Sequence, residues 1–206
     1  MKKTLWVLVL VTVLAFAVSA IASEGADYKI KIGDKDVGKA KIRTDVQGDK
    51  ETVTLEMKYD IGKDSYLIKQ TAIYKNKRIQ EFTSEFKENE KVKSIVGQLK
   101  GTDYIIFVGG ERNEIPSSQI EAFSLDMYVG YRPEKPTKLT ILDLVAGKVG
   151  VRDLKREGNK DIWVYSEGWK RDLATYNPPA KLPALIKQKR GSEKDNFDLE
   201  FERIWK

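Results

Sequence analysis

The side chains that could carry out chemistry in this 206-residue chain are few, because it contains no histidine and no cysteine. That composition excludes disulfides, Cys/His zinc sites, covalently attached haem and every nucleophile activated by a histidine. Three kinds of site remain: paired carboxylates, a serine activated by a lysine, and a metal bound by oxygen ligands. The spacing of the acidic and hydroxyl residues tests each of them.

Carboxylates lie close together at two places. Asp34 and Asp36 flank a lysine, but this segment lacks the glycine and the distal glutamate of a calcium loop, and it is typical of a hairpin turn. Glu81 and Glu85 would share one face of a strand, about 13 Å apart at the usual rise per residue. Retaining glycosidases hold their two carboxyls much closer, about 5 Å apart. Neither pattern indicates a catalytic pair or a metal site.

A lysine-activated serine is not favoured either. Ser84 and Lys87 have the Ser-x-x-Lys spacing, but that motif needs a helical turn, and in a strand the two side chains point to opposite faces. Gly109-Gly110 lacks the Lys-Ser ending of a phosphate-binding loop. We therefore predict a protein that is not an enzyme and that uses no cofactor and no metal.

The N-terminal segment has the three parts of a secretory signal peptide. Lys2 and Lys3 give a basic start, residues 5–18 form an apolar run, and Ala20-Ile21-Ala22 supplies the small residues that a signal peptidase recognises. We expect cleavage after Ala22, or alternatively after Ala20, and a periplasmic or secreted product with no remaining membrane span. No cysteine follows the run, so a lipid anchor is not expected.

The predicted mature chain, residues 23–206, is nearly balanced in charge. Loss of Lys2 and Lys3 leaves 35 basic against 31 acidic side chains, a net charge of +4. Basic and acidic residues are interleaved, whereas a phosphate-binding surface needs clustered basic residues with aromatic ones. Nucleic acid is therefore not an expected partner.

Alternation of apolar and polar residues predicts a mainly β fold. In residues 52–59, Val53, Leu55, Met57 and Tyr59 share one face, and the polar residues share the other. Similar segments recur at about ten-residue spacing along residues 28–108, and again at 139–144, 148–155, 162–165 and 196–205. The pattern predicts one domain made of a single highly curved antiparallel sheet or half-open barrel.

One helix is predicted, at about residues 118–128. Pro116 precedes Ser118, and Glu121 follows three residues later, which matches a capping box.

The apolar faces of the predicted strands are the candidate lining of a ligand site. They could fill a core, or they could leave a groove for a lipid, another hydrophobic small molecule or a peptide. The candidate lining residues are Val53, Leu55, Met57, Tyr59, Phe82, Phe86, Phe197, Leu199, Phe201 and Trp205.

Several short segments resemble families of exported bacterial domains of unknown function. They are Tyr28 to Gly33, Val37 to Ala40, Leu142 to Leu144 with Gly147-Lys148, and the final alternating strand. These families are similar to the Lol lipoprotein carriers. The resemblance covers most of the predicted mature chain and departs from the family pattern at residues 167–185. It implies a curved sheet with a helix plug that holds a hydrophobic guest, and it implies no catalytic residues.

Three functions are therefore open. The first is an exported, non-catalytic protein that binds a lipid or another hydrophobic ligand, or an envelope protein. The second is a carboxylate-dependent cell-envelope hydrolase, because enzymes acting on glycans need neither histidine nor cysteine. The third is a small outer-membrane β-barrel, which the alternation near the C-terminus favours and the charge on most strands opposes.

Overall fold

Alternating sequences form long strands in the computed structural model, which describes residues 22–128, 137–155, 161–167, 170–176, 182–191 and 196–205. The predicted signal segment lies outside these residues, except for Ala22, the first residue of β1. The mainly β prediction is confirmed. None of the helical turns within these ranges is long and apolar enough to cross a membrane.

The described ranges contain fifteen strands in one sheet. Their bounds are β1 Ala22–Ile32, β2 Lys35–Gln47, β3 Lys50–Ile61, β4 Asp64–Lys75, β5 Arg78–Glu88, β6 Lys91–Lys100, β7 Asp103–Val108, β8 Glu111–Pro116, β9 Ala122–Phe123, β10 Thr137–Asp143, β11 Lys148–Lys155, β12 Asp161–Glu167, β13 Lys170–Tyr176, β14 Leu185–Gly191 and β15 Asn196–Ile204.

The sheet consists of two meanders, β1 to β8 and β9 to β15, which are joined in the middle of the sheet where the first strand, β1, pairs with the last strand, β15. The order runs from β8 through β7 and onward to β1, then to β15 and back down to β9. All neighbours pair antiparallel except β9 and β10, which are parallel. The edge strands β8 and β9 are not hydrogen-bonded to each other in the described chain, so the sheet is not closed into a barrel.

Strong curvature brings the two ends of this strand order together. The turn between β10 and β11 belongs to one end, and β6 and β7 belong to the other. Nevertheless, Lys93 Nζ on β6 donates a hydrogen bond of 2.7 Å to the carbonyl of Ala146 in that turn. A β-carbon added to Gly147 would lie 2.8 Å from Val108 Cγ2 on β7. The sheet therefore has an inner, concave face, on which the alternating apolar residues are buried.

Two local features show how the sequence fits this curvature. Asn76 and Lys77 both have positive φ, at 53° and 62°, which makes the tight turn between β4 and β5 match the twist of its strands. Gly97 on β6 lies opposite Phe82 on β5, and a β-carbon there would be 2.2 Å from Phe82 Cζ. The phenyl ring covers the glycine, so alanine would not fit without movement.

The helix predicted at residues 118–128 is wrong. The segment instead forms a 3-10 turn at Ser117–Gln119, the short strand β9, and a second 3-10 turn at Ser124–Tyr128. Glu121 does not cap a helix, because its Oε2 accepts a 2.7 Å hydrogen bond from the backbone N–H of Thr140 on β10. The glutamate side chain that the capping box would use to cap a helix is therefore bound to the backbone of β10 instead.

Four strands, β8, β9, β13 and β14, are not predicted by the sequence pattern. β13 and the first residue of β14 lie within residues 167–185, a segment in which the sequence pattern predicts no strand. β14 also contains the densest basic stretch of the chain, Lys187 to Arg190. Its Ile186 and Gln188 are buried and its Lys187 is partly exposed, so this basic run is a strand with one face turned inward.

Candidate functional site

The inner face of the sheet carries most of the candidate lining residues. Val53, Leu55, Met57 and Tyr59 on β3 are buried there, as the period of two requires. Phe82, Leu199 and Phe201 are buried on other strands, and Phe86 is partly buried. The structure therefore brings eight of the ten candidates onto one concave surface.

The two remaining candidates lie near the C-terminus. Trp205 is 61% exposed, because β15 ends at Ile204 and the indole no longer follows the sheet. The indole ring of Trp205 lies instead under the guanidinium of Arg203, whose Cζ is 4.5 Å from the centroid of the ring. The side chain of Phe197 lies outside the described part of the structure.

The two ends of the curved sheet differ in how they are filled. We call them the Tyr66 end, where the turns after β1, β3, β5 and β7 lie, and the Asp126 end, opposite to it. The crossing segment, residues 117–128, connects β8 to the second half of the sheet and lies at the Asp126 end. Its Phe123 packs against Phe82 and Tyr104, with ring centroids 5.9 and 5.5 Å apart. This end is therefore plugged by the chain itself.

Asp126 anchors the crossing segment to the sheet. Its carboxylate accepts hydrogen bonds from the hydroxyl of Tyr74 on β4 and, at 2.8 Å, from the backbone N–H of Phe123. Burial outweighs these two hydrogen bonds and raises the pKa of Asp126 to about 6. A carboxyl that titrates near neutrality therefore joins the plug to the inner face.

The Tyr66 end has an apolar rim, one side of which, at Val108, is contacted by the turn between β10 and β11. We define the apolar rim as the inner-facing, only partly buried side chains at this end: Ile32, Ile61, Tyr66, Phe86 and Val108. Tyr66 stacks on Tyr59, with ring centroids 5.0 Å apart, and contacts Phe86 at 6.4 Å. Burial, with the nearby Glu88 carboxylate, raises the pKa of Tyr66. An aromatic row thus crosses β3, β4 and β5 where the inner face meets solvent.

A polar pair lies deeper on the same face. Gln70 on β4 and Ser84 on β5 are opposite one another in register and are 4% and 3% exposed. Gln70 Nε2 donates a long hydrogen bond of 3.3 Å to Ser84 Oγ. Their cross-strand neighbours are Leu55 and Ile95, so the pair interrupts an apolar surface. The alternation in β4 places Gln70 in the same phase as Tyr66 and Ala72, a signal that could have identified it from sequence.

The structure also shows where the serine–lysine pair and the acidic residues considered in the sequence analysis lie. Ser84 is buried and Lys87 is exposed, so the two point to opposite faces of β5 as expected for a strand. The Glu81 carboxylate accepts a hydrogen bond from Gln98 at 3.2 Å, on the outer face. In the described ranges, no group of three or more acidic residues is arranged to hold a metal ion.

One comparison with known proteins gives a match. A family model described as a domain of unknown function, DUF6134, matches residues 28–181, which is most of the chain. The match runs from β1 through the crossing segment to β13 and the residues after it. No curated protein and no solved structure matches the chain.

Proposed function

The chain belongs to the DUF6134 family of domains of unknown function, and from this premise we propose that it is an exported, non-catalytic protein that binds a lipid or another amphipathic molecule. The guest enters at the Tyr66 end and lies against the concave face. The Asp126 end, where the crossing segment is packed, is the floor of the site.

The observation that carries this proposal is the apolar rim. Soluble proteins bury apolar side chains where they can, and a cluster left partly exposed at a concave end is typical of a ligand-binding entrance. The aromatic row of Tyr59, Tyr66 and Phe86 offers flat apolar surfaces to an alkyl chain. The opposite end, in contrast, is occupied by Phe123 and Leu125 of the crossing segment.

Export is the second part of the proposal and rests on the N-terminal sequence. The basic start, the apolar run and Ala20-Ile21-Ala22 support cleavage by a signal peptidase. Either expected cleavage site leaves the strand β1 almost complete, because β1 begins at Ala22 and pairs with β2 from there onward. The resemblance of short segments to the Lol carriers implies the same function; none of the comparisons finds it, and it stays a prediction.

The hydrolase alternative has less support. It would need a second carboxylate beside Asp126, and the groups that hold this carboxyl in the described part of the chain are Tyr74 and Phe123. These contacts are those of a buried structural anchor.

Phe86→Ser should weaken the binding of N-phenyl-1-naphthylamine, a neutral fluorescent hydrophobic probe, by about tenfold. Loss of an aromatic contact with an apolar guest removes on the order of 1 to 2 kcal/mol of binding free energy. The measurement is a fluorescence titration of the purified protein. Phe107→Ser is the matched control, because Phe107 is 43% exposed and occupies the opposite phase from the buried Ile106, on the outer face of β7.

The comparison of the two variants tests where the probe binds as well as whether it binds. Equal losses for Phe86→Ser and Phe107→Ser would show that the probe binds apolar surface without preference for the concave face. That result would contradict the proposed site.

A further inference from the structure

The buried pair of Gln70 and Ser84 leaves hydrogen-bonding groups without partners. A glutamine amide has two N–H donors and a carbonyl acceptor, and a serine hydroxyl is both donor and acceptor. Among the described residues this pair makes the single long bond to each other and no other side-chain hydrogen bond. Reversing the amide only exchanges which of its atoms is unpaired. Buried polar groups are nearly always hydrogen-bonded, so a partner is missing from the protein itself.

Two of the three other buried polar side chains of the described chain have partners within the protein, and the third, Ser117 of the crossing segment, is hydrogen-bonded through its backbone. Thr44 Oγ1 donates to the carbonyl of Glu24 at 3.3 Å, and Gln188 Nε2 donates to the hydroxyl of Tyr128. Gln70 and Ser84 differ from these residues because two adjacent side chains leave polar groups unpaired, both on the inner face of the sheet.

The pair lies at a defined depth below the apolar rim. Tyr66, Ile68 and Gln70 alternate on the inner face of β4, so Gln70 is about 13 Å along the strand from the rim tyrosine. The intervening side chain, Ile68, is apolar and buried, and so is Met57 opposite to it on β3. A molecule that meets both ends of this path must have an apolar chain at the rim and a polar group at the bottom.

The charge of the surroundings defines that polar group. The fully buried polar residues of the described chain are Thr44, Gln70, Ser84, Ser117 and Gln188, none of which is charged, and the ionisable group Asp126, which anchors the crossing segment at the other end, is an acid and supplies no positive charge. An ionised carboxylate or phosphate at this depth would have no cation to pair with, and burial of an unpaired charge is strongly unfavourable. A neutral carbonyl is favoured, because it can accept hydrogen bonds from the Gln70 amide and the Ser84 hydroxyl together.

We propose that Gln70 and Ser84 bind the carbonyl oxygen of a neutral acyl ester whose alkyl chain extends to the apolar rim. The inference rests on the proposed function, and it adds the class of ligand and its orientation, with the ester group inside and the end of the chain at the rim.

Two small molecules that differ only in the carbonyl test the inference. They are methyl decanoate and decyl methyl ether, in which two hydrogens replace the carbonyl oxygen, and each is titrated against protein loaded with N-phenyl-1-naphthylamine. The wild-type protein should bind the ester about tenfold more tightly than the ether, the discrimination expected of one or two hydrogen bonds in a dry site. Decanoate ion at pH 8 should bind more weakly than its methyl ester.

Gln70→Leu and Ser84→Ala should each reduce the ester-to-ether ratio to below about threefold and leave the affinity for the ether unchanged. Leucine has nearly the volume of glutamine, so a thermal melt should show Gln70→Leu folded, with a loss of stability no larger than that of one buried hydrogen bond, because Ser84 loses its partner. Thr44→Val is the matched control, because Thr44 is buried in the same sheet with its own partner, and it should keep the wild-type ratio.

The outcomes separate this inference from the function on which it rests. A wild-type protein that binds probe, ester and ether without preferring the ester would overturn the ester site and leave the binding function standing. An ester preference that survives both Gln70→Leu and Ser84→Ala would overturn the ester site in the same way. A wild-type protein that binds neither the probe nor the ester would overturn both.

Discussion

Leu55→Asp should lower the free energy of unfolding by about 4 kcal/mol or more, the largest effect expected of a single substitution here. Leu55 is 2% exposed, near the middle of β3, with Ile42 and Gln70 opposite it on the two neighbouring strands. Aspartate there would bury a charge without a cationic partner, and the site would also lose most of the packing of the leucine. Urea denaturation followed by tryptophan fluorescence measures the change.

Glu56→Gln is the control, one residue away on the same strand. Glu56 is exposed on the outer face, and removal of its charge should change the unfolding free energy by about 0.5 kcal/mol or less. Comparable losses in the two variants would show that the faces of β3 are assigned the wrong way round, and the concave lining would have to be abandoned with them.

Asp126 should make the protein less stable as the pH rises from about 4 to about 6. Its pKa in the folded chain is raised from 3.8 to about 6, so between these values the folded state keeps a proton that the unfolded state has released. Above that range the anchor of the crossing segment is a buried charge. The shift corresponds to about 3 kcal/mol, fully present below pH 4 and lost above pH 6.

The test compares the pH dependence of unfolding in the wild type and in Asp126→Asn, which cannot titrate. The difference between the two curves isolates Asp126 from the other carboxylates. Tyr74→Phe is a second variant, because loss of its hydrogen bond to the carboxylate should raise the pKa of Asp126 further and move the transition to higher pH. A wild type and an Asp126→Asn protein with parallel curves would contradict the buried anchor.

The part of the fold that sequence could predict is the part in which one face is apolar and the other polar. Val53, Leu55 and Met57 alternate with Thr54 and Glu56, and only an extended strand with one buried face satisfies that pattern. The tight turns at Gly48, Gly62 and Gly101, all with positive φ, separate such strands at regular spacing. Consequently the curved sheet was predictable without knowledge of any contact between distant strands.

The crossing segment could not be predicted, because tertiary contacts decide its conformation. Its capping-box glutamate binds the backbone of β10, and Ala122 and Phe123 pair with Ile141 and Leu142 on that strand. Local sequence at residues 118–128 carries no information about a strand that begins at Thr137. The exposure of Trp205 could not be predicted either. The alternation places Trp205 on the same face as Leu199 and Phe201, but β15 ends at Ile204, before this residue.

The candidate site was partly predictable for the same reason. Alternation identified which aromatic residues face inward, but it could not tell Phe82, fully buried under the plug, from Phe86, partly exposed at the rim. That difference depends on which end of the sheet the crossing segment fills. The Gln70 and Ser84 pair requires the register of β4 on β5 as well, which joins two polar residues that are fourteen positions apart in sequence.

The most direct test of the proposed function is native mass spectrometry of the protein purified from the envelope of its own cells. We expect a chain that begins at Ser23, or at Ile21, carrying a non-covalent adduct whose mass is that of a lipid, and we expect the adduct to be lost on denaturation. A chain that retains Met1, or a mature chain that carries no adduct and takes up none from added lipid, would contradict the account.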